Sequence, residues 1–471
     1  MAEGRGRIDA PLVLLVLLIN GVVLVNAHLH EPRVGYDARA HFGYIQTLAK
    51  GRLPTQADTY EFFTPPLAYA PAALLWPHAQ AGFVGRAALY WNLACSVALT
   101  LLLVRVARRL RPGDPGFART TLLLLGMMPV YYKTFAFVRP EPLLALLALA
   151  SLDQAHRLFG EDDLAARRVA ALGLLLGLLI LTRQQGFFVI AAIVLFAAGR
   201  AISRRSGWRS YLRAMAGALA IALAVGGWFY LRLGARHGSA MAYVKKPAAF
   251  SLSNNPRSFY LGTGDKKLFR DPVRPSFRNQ FFPTFYSEAW GDYGCYFLIY
   301  GIDQRTRTFL PGGALVEALG QQTSRNVLLT NRVEMGRALG RVNAVAILPS
   351  VVLLLGVLAA VPSLVTLVRG GGAAHRGMPV LLLLTVLVTF ASYLALLILF
   401  PARSGNMIKA TYVLHVLPAM ALLAADLMAR LRDRAPRAHH TVLALLLGAT
   451  AHNSFAFVTR YSPAAFAHWG L

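Results

Sequence analysis

The sequence MPVLLLLTVLVTFASYLALLILF, residues 378–400, decides what kind of fold this chain adopts. It contains no charged side chain, and a helix of this length crosses the roughly 30 Å hydrocarbon core of a bilayer. The rest of the chain has a similar character: of 471 residues, 56% are hydrophobic and only 15% are charged, and the mean hydropathy is +0.49. This composition is too apolar for a soluble protein of this length and predicts a multi-pass membrane protein.

Ten further runs are similarly apolar, so we predict an all-α polytopic fold with about eleven transmembrane helices. The predicted spans are 11–27, 83–104, 118–137, 142–155, 169–182, 187–199, 212–233, 344–368, 378–400, 411–428 and 441–458. The first run ends in Val25-Asn26-Ala27, which also has the small-residue pattern of a signal-peptidase site. A cleaved signal sequence is therefore the alternative interpretation of that run.

The charge of the chain lies between the apolar runs. The formal net charge is +27, and three groups of arginines each follow an apolar run. These groups are Arg105, Arg108, Arg109 and Arg111; Arg200, Arg204, Arg205 and Arg209; and Arg430, Arg432, Arg434 and Arg437. Such clusters are typical of cytoplasmic loops, so the basic charge indicates membrane topology and no nucleic-acid partner. Only two cysteines are present, which excludes a disulfide framework as the basis of the fold.

A cytoplasmic N-terminus places all three arginine groups on the cytoplasmic side. Four segments are then predicted outside, namely 28–82, 133–141, 235–343 and 401–410. The longest is rich in aromatic residues, glycine and proline and is predicted to be an ordered cap, and its part 314–341 has the spacing of one amphipathic helix. We therefore divide the chain into an N-terminal transmembrane module (1–234) that carries the first outer loop, a cap (235–343) and C-terminal transmembrane helices (344–471).

The first outer loop offers a candidate catalytic group in GYDARAHFGY, residues 35–44. Asp37 and His41 are four residues apart and would share one face of a helix. Low dielectric near the membrane would raise the carboxylate pKa towards working pH, which suits a general base. We expect Asp37 to be catalytic and His41 and Tyr44 to contact substrate. A plain helix N-cap is the alternative for Asp37.

Several basic residues lie at predicted outer or mid-membrane positions, against the topology rule. They are Lys133, Arg139, Arg183, Arg403 and Lys409. Snorkelling to the interface explains any one of them, but together they indicate a phosphate or diphosphate site. Glu141 follows Arg139 closely and is either a site residue or an ordinary acid in a first helical turn.

The cap contains FYSEAWGDYG, residues 285–294, which is dense in aromatic rings and carboxylates. Aromatic faces can pack on the apolar faces of sugars, and carboxylates accept hydrogen bonds from sugar hydroxyls. Trp290, Asp292 and Tyr293 are therefore candidate substrate-binding residues, with an interfacial aromatic belt as the alternative.

These elements resemble the GT-C superfamily of membrane glycosyltransferases, which use polyprenyl-phosphate-linked sugars. The bacterial aminoarabinose transferases and the protein O-mannosyltransferases are the nearest types. The residues that carry the resemblance are Tyr36-Asp37 with His41, Thr64-Pro65-Pro66-Leu67 before a juxtamembrane helix, Arg139-Pro140-Glu141, the stretch 287–293, and Lys409-Ala410-Thr411-Tyr412.

The resemblance implies a hexosyl- or pentosyltransferase of cell-envelope glycan or glycolipid biosynthesis. Asp37 would take the proton from an acceptor hydroxyl during inverting displacement. Arg139, Arg183 and Lys409 would hold the lipid phosphate, beside Tyr412. Many members carry a second acid at the position of Ala38, so its absence here argues against a required divalent cation, although a metal remains open.

The resemblance also implies the partners and the location. The partners would be a polyprenyl-phosphate sugar donor, a lipid, glycan or protein acceptor, and membrane lipid. The protein would lie in a bacterial inner (plasma) membrane with its site on the periplasmic or extracellular face. The alternative function is a transporter or flippase of a lipid-linked sugar. Such proteins usually have related halves and broken helices that carry polar groups near mid-bilayer, whereas here the halves do not match and most of the polar material lies outside, in one long cap.

Overall fold

The computed structural model describes residues 9–203, 207–303, 305–306, 308–320, 327–369, 377–402 and 406–462. In this part the chain forms mainly α-helices, which carry the labels used below. They are α1 (Ala10–Leu29), α2 (Ala38–Ala49), α3 (Ala70–Leu75), α4 (Ala81–Leu110), α5 (Pro115–Gly126), α6 (Pro129–Phe135), α7 (Glu141–Ala155), α8 (Ala166–Thr182), α9 (Gly186–Ser203), α10 (Trp208–Ala222), α11 (Trp228–His237), α12 (Arg257–Leu261), α13 (Phe281–Trp290), α14 (Gly312–Gly320), α15 (Arg332–Val345), α16 (Ile347–Ala359), α17 (Val361–Val368), α18 (Gly377–Leu399), α19 (Leu417–Arg434) and α20 (Pro436–Asn453).

Seven helical stretches among the described residues are long and apolar enough to cross a membrane. They are Ala10–Leu29, Ala81–Leu110, Gly186–Ser203, Trp208–His237, Ile347–Leu367, Gly377–Leu399 and Ala410–Arg434. The multi-pass membrane fold agrees with the sequence analysis. The total of eleven spans remains a prediction.

Four predicted spans have no counterpart among these seven stretches. The run 118–137 is divided between α5 and α6, because Pro129 cannot donate the backbone hydrogen bond that a continuous helix needs. Helices α7 and α8 have 15 and 17 residues, at or below the short end of the roughly 17–25 residues that a full crossing takes. Helix α20 begins with polar residues, including Arg437 and two histidines, which lower its hydropathy.

The helices pack through small residues, as membrane helices do when their backbones approach closely. Gly356 of α16 faces Ala424 of α19, where an added Cβ would lie 2.4 Å from the Ala424 Cα atom. Gly177 of α8 faces Val225 with the same kind of close approach. Van der Waals contact between backbones therefore holds the bundle that carries the site.

The cap is more varied than the sequence predicted. Three short strands, β1 (Gly301–Asp303), β2 (Phe309–Leu310) and β3 (Val327–Thr330), form an antiparallel sheet in the order β2-β1-β3. The all-α prediction missed this sheet. The prediction of one amphipathic helix over 314–341 is also wrong. Helix α14 ends at Gly320 and β3 precedes α15; a glycine ends the helix readily, and the segment that follows the undescribed residues 321–326 is suited to a strand.

The elements bring four distant segments to one end of the bundle. The first is the turn that starts α2, which is followed by the short helix α3 before the long α4. The others are the start of α7, the break between α8 and α9, and the stretch before α19, where a 3₁₀ turn spans Ala410–Val416. A regular helix begins or ends at each of these four places, so the polar side chains there are free to turn towards one another.

Candidate active site

Asp37 is the residue immediately before α2, and its backbone has a φ of 60°. This left-handed conformation is uncommon for a residue with a side chain and costs on the order of 1–2 kcal/mol. The main-chain oxygen of Asp37 accepts hydrogen bonds from the N–H groups of Ala40 and His41, but its carboxylate accepts none from the first turn. The capping interpretation therefore does not hold for the carboxylate, which points elsewhere.

The Asp37 carboxylate lies between a lysine and a tyrosine. Its Oδ2 atom is 2.6 Å from the Lys409 Nζ atom, and its Oδ1 atom accepts a hydrogen bond of 3.1 Å from the Tyr60 hydroxyl. The side chain of Asp37 keeps 25% of its surface exposed. The acid is thus paired but still accessible.

The electrostatics of Asp37 differ from the sequence expectation. Burial raises the pKa of Asp37, but the positive charges of Lys409 and Arg139 outweigh burial and hold that pKa well below its usual range. The predicted upward shift of the pKa is therefore wrong. Low dielectric strengthens the attraction of a nearby cation as well as the cost of desolvation, and here the cations win.

Two arginines and two glutamates form the buried floor next to this pair. Arg139 binds Glu141 through two parallel contacts, Nε to Oε2 at 2.9 Å and Nη2 to Oε1 at 2.7 Å. Arg183 lies 3.4 Å from the same Glu141 and, through its Nη1 atom, 3.7 Å from Glu61. The side chains of all four are almost completely buried, so these charges depend on one another for compensation.

Tyr412 connects the cations. Its ring centre is 5.5 Å from the guanidinium carbon of Arg139, 5.5 Å from that of Arg183 and 5.6 Å from the Lys409 ammonium. Three cations around one aromatic ring are held in a fixed arrangement without using up their hydrogen-bond donors. Arg403, the fifth outer cation named from the sequence, lies outside the described residues.

His41 and Tyr44 lie on the buried face of α2. The His41 Nδ1 atom is 2.6 Å from the Tyr69 hydroxyl, and the Tyr44 ring stacks on Tyr69 at 4.4 Å. The His41 Nε2 atom and the Tyr44 hydroxyl are buried without a hydrogen-bond partner in the described part of the chain. Burial lowers the pKa of His41 to about 4, so the imidazole is neutral at pH 7.

Oxygen atoms of Asp37 and Glu61 and a nitrogen of His41 lie within 4.8 Å of one another. These donor types suit a divalent cation, but the surrounding charges do not. Asp37, Glu61 and Glu141 are matched by the cations Lys409, Arg139 and Arg183, three against three. An added dication would have to displace Lys409 from Asp37 and would disturb this balance, so the arrangement as it stands does not fit a resident divalent metal.

The three cap residues named from the sequence are used within the cap. The Asp292 carboxylate is fully buried and accepts four backbone N–H groups, from residues 296–299, at 2.6–3.1 Å. Tyr293 stacks on Phe277 at 5.5 Å, and its hydroxyl accepts the Phe277 N–H. Trp290 is buried. The structure therefore does not bring these three residues into the cluster around Asp37.

A neighbouring residue, Glu288, links the cap to the site. Its Oε2 atom accepts hydrogen bonds from the Tyr36 hydroxyl at 2.5 Å and from the Lys133 ammonium at 2.7 Å. The Tyr36 ring in turn lies 5.0 Å from the Lys409 ammonium. Lys133, one of the outer cations named from the sequence, is thus a structural support, and the cap fixes the residue that precedes Asp37.

Sequence reasoning missed Glu61, Tyr60 and Tyr69 as members of the site. The segment 61–69 drew attention for its prolines, but a carboxylate in a turn has no local partner that would reveal its role. The available signal was the balance of charge: Arg139, Arg183 and Lys409 require about three acids near them, and of the three acids that the sequence suggested, Asp292 is used within the cap.

A cavity of about 750 Å³ opens beside the cluster. Arg183 and Tyr412 form part of its wall. Most of the remaining wall is apolar and comes from α9, α18 and the chain after α11, including Phe188, Leu396, Leu399, Phe400 and Val244. Two exposed lysines, Lys245 and Lys246, also line it. Cationic groups therefore lie next to a largely apolar cavity.

No protein-family model matches this sequence, and no curated protein is detectably similar to it. Solved structures are similar in fold. The crystal structure of the oligosaccharyltransferase of Archaeoglobus fulgidus tethered with an acceptor peptide aligns with 97% of this chain and 56% of that protein, at 13% identity and a TM-score of 0.51. Its apo form aligns with 96% of this chain at 14% identity and a TM-score of 0.50.

Weaker likeness extends to the crystal structure of ArnT from Cupriavidus metallidurans bound to undecaprenyl phosphate. It aligns with 90% of this chain and 79% of that protein, at 16% identity and a TM-score of 0.40. The chain spans just over half the length of the oligosaccharyltransferase structures. At these identities the likeness concerns the fold alone: the chain has a fold similar to that of the Archaeoglobus fulgidus oligosaccharyltransferase.

Proposed function

We propose that this protein is a membrane glycosyltransferase that moves a sugar from a polyprenyl-phosphate donor to an acceptor hydroxyl, with inversion at the anomeric carbon. One observation carries the proposal. An accessible carboxylate, Asp37, converges with three cations from three other segments, Arg139, Arg183 and Lys409, beside an apolar cavity.

The donor fits the cavity by its chemistry. A polyprenyl chain requires a long apolar space, which the walls from α9 and α18 supply. Its phosphate requires fixed positive charge at one end of that space, which Arg183 supplies in the cavity wall and Lys409 supplies beyond the Tyr412 ring. Lys245 and Lys246 add charge that would attract an anionic headgroup.

The reaction assigns each group a balanced task. Asp37 takes the proton of the acceptor hydroxyl while the hydroxyl oxygen forms a bond to the anomeric carbon. The bond between that carbon and the phosphate oxygen breaks on the opposite face, and its electron pair stays with the phosphate. Negative charge then develops next to Arg183 and Lys409, where fixed cations stabilise it most effectively.

Lys409 serves two partners in this scheme. In the resting site its ammonium holds Asp37. A donor phosphate that binds near Tyr412 competes for the same ammonium, and Asp37 then becomes a stronger base at the moment when donor is present. Substrate binding and base activation are thereby coupled.

The fold supports the acceptor and the sidedness. The structurally similar oligosaccharyltransferase was solved with an acceptor peptide tethered to it, which is consistent with an acceptor site in this fold. We assign the site to the extracytoplasmic face of a bacterial inner membrane. The arginine clusters expected on the cytoplasmic side lie at the opposite ends of the helices that carry the site. Helix α7 begins at Glu141 and contacts Arg109 through Asp153 near its end. The division of the chain into an N-terminal transmembrane module (1–234), a cap (235–343) and C-terminal transmembrane helices (344–471) is also part of this proposal.

The test is transfer by purified protein in proteoliposomes. A panel of polyprenyl-phosphate sugars is offered, and products are analysed by mass spectrometry. We expect Asp37→Asn to lower the transfer rate roughly 10²–10⁴-fold, the usual contribution of a general base, without loss of folded protein. The matched control is Glu31→Gln, which removes a charge from the same loop; among the described residues Glu31 forms an ion pair with the exposed Arg33 and with no other side chain.

Full transfer by Asp37→Asn would remove the base assignment. Movement of labelled lipid-linked sugar across the vesicle membrane by the wild type, without any transfer, would favour a flippase and overturn the proposal.

A further inference from the structure

A second charged region lies on the cap. Its residues differ from those of the catalytic cluster, by which we mean Asp37, Arg139, Glu141, Arg183 and Lys409. An open groove of about 540 Å³ runs between residues 269–271 and the outer face of α15. Four arginines line it, Arg270, Arg332, Arg337 and Arg341, with Asp271 as the single carboxylate. The lining therefore carries a net charge of +3, from four cations and one anion.

The pairing of these arginines is incomplete. Arg332 contacts Asp271 at 3.0 Å. Arg270, Arg337 and Arg341 form no ion pair with any carboxylate in the described ranges, and all three are exposed. Lys266 and Lys267, one turn earlier in the chain, are also exposed. The described lining of the groove therefore carries more positive charge than its own carboxylate neutralises.

Several arginine sites elsewhere in the molecule have carboxylate partners. At the opposite end of the bundle Arg109, Arg111, Arg200 and Arg432 all pair with aspartates, and the arginines of the catalytic cluster pair with glutamates. The groove differs from these sites because four arginines share a single carboxylate there.

The groove lies close to the membrane surface. Arg341 is six residues before Ile347, where the membrane-crossing stretch Ile347–Leu367 begins. At 1.5 Å per residue this places Arg341 at most about 9 Å from the hydrocarbon edge, and the headgroup layer is roughly 5–8 Å thick. Ile347 is itself largely exposed, as expected for a residue that faces lipid.

Apolar side chains accompany the cations. Phe269, which lines the groove, is 42% exposed, and Val333, on the same wall, is 58% exposed. Exposed aromatic and aliphatic groups next to arginines are typical of surfaces that lie in the interface of a bilayer. A free phosphate would leave these apolar groups in water, whereas a lipid would cover them.

We propose that the groove between residues 269–271 and α15 binds the phosphate of an anionic phospholipid from the leaflet around this end of the bundle. The unpaired guanidinium groups receive the phosphodiester, and Phe269, which lies against Gly340 next to Arg341, contacts the glycerol region. This site is independent of the catalytic cluster and does not require the proposed transfer reaction.

Native mass spectrometry tests the proposal. The full-length protein is purified in detergent, incubated with phosphatidylglycerol or phosphatidylcholine, and analysed for bound lipid. We expect the double variant Arg337→Gln/Arg341→Gln to bind phosphatidylglycerol roughly 30-fold more weakly, since each such cation contributes about 1 kcal/mol. The matched control is Arg278→Gln/Arg305→Gln, which removes two exposed cap arginines outside the groove.

Retention of phosphatidylglycerol by the control and its loss from the groove variant support the proposal. Equal binding by both variants overturns it. Equal binding of the two lipids by the wild type, with displacement by excess inorganic phosphate, overturns it in favour of a soluble anion. If the double variant does not fold, Arg270→Gln, which changes a residue outside the helices, provides the same comparison with a smaller expected loss.

Discussion

Asp37 and Asp292 are both acids at helix ends on the same side of this molecule, and they are used in opposite ways. Asp292 is fully buried, and four backbone N–H groups point at its carboxylate. Asp37 is one-quarter exposed and is contacted by two side chains, from Lys409 and Tyr60. Backbone donors cannot leave without unfolding the loop, whereas side-chain donors can rotate away.

The difference shows how a structural acid is distinguished from a chemical one. A carboxylate enclosed by main-chain N–H groups is satisfied permanently and organises the chain around it. A carboxylate held by a lysine that also lies near an apolar cavity can exchange that partner for a ligand. Three measurements sharpen or break this contrast, in addition to the transfer test of Asp37→Asn.

The largest effect is expected at Asp292. Asp292→Ala leaves four buried N–H groups without an acceptor, which costs on the order of 4 kcal/mol or more at about 1–3 kcal/mol per unsatisfied group. We expect little folded protein in the membrane, measured as the monodisperse fraction after detergent extraction. Asp292→Asn, which keeps one acceptor oxygen, should recover part of the yield, and Asp37→Asn, which keeps an oxygen facing Lys409, should keep most of it. A well-folded Asp292→Ala protein that has lost transfer activity would mean that Asp292 takes part in the chemistry.

The next effect concerns the partner of Asp37. Lys409→Gln should lower transfer roughly 10²–10³-fold, the usual loss when one stabilising group for developing charge is removed. Without Lys409 the pKa of Asp37 rises, because burial is then opposed chiefly by Arg139. The wild-type carboxylate stays ionised and loses its ion pair only in strong acid, so the acid limb of kcat/KM against pH, which reports the free enzyme, should move up only in the variant. Lys50→Gln, an exposed lysine at the end of α2, serves as control. An unchanged pH profile would contradict the pairing of Lys409 with Asp37.

The smallest effect is a loss of stability in mild acid. Burial lowers the pKa of His41 to about 4, while an unfolded histidine has a pKa of about 6.5. The unfolded chain therefore binds a proton first, and the free energy of unfolding falls as pH drops from about 6.5 towards 4. At pH 5 the loss is about 2 kcal/mol for this residue. The thermal midpoint of the purified protein should fall between pH 7 and pH 5, and less so for His41→Gln. An equal fall in both proteins would show that His41 does not titrate in this way.

Sequence reasoning gave the membrane character and the principal spans because hydropathy is a local property. It did not give the break at Pro129, since an apolar run still reads as one span when a proline divides it. The strand Val327–Thr330 was also missed. Its sequence, VLLT, does not alternate apolar and polar residues as a half-buried strand would. Its pairing with Gly301–Asp303 is a distant contact that no local pattern encodes.

Only part of the site was predicted, because a sequence reveals local features and not the direction in which a side chain points. Asp37, Arg139, Arg183 and Lys409 could be named because each is a charge in an apolar context, and the structure brings them together. Asp292 was misleading because composition does not reveal whether a side chain points towards a cavity or towards its own backbone. The direction of the Asp292 carboxylate depends on the backbone of residues 296–299, whose N–H groups it accepts within the folded cap.

The equal number of buried acids and cations around Tyr412 has a consequence for turnover. A site with surplus positive charge would retain its spent lipid phosphate and stall after one cycle. Under the proposed reaction, the internal partner Asp37 is always available to take back Lys409. Departure of the product is then an exchange of one salt bridge for another, and the same pairing that restrains the base before the reaction helps to empty the site after it.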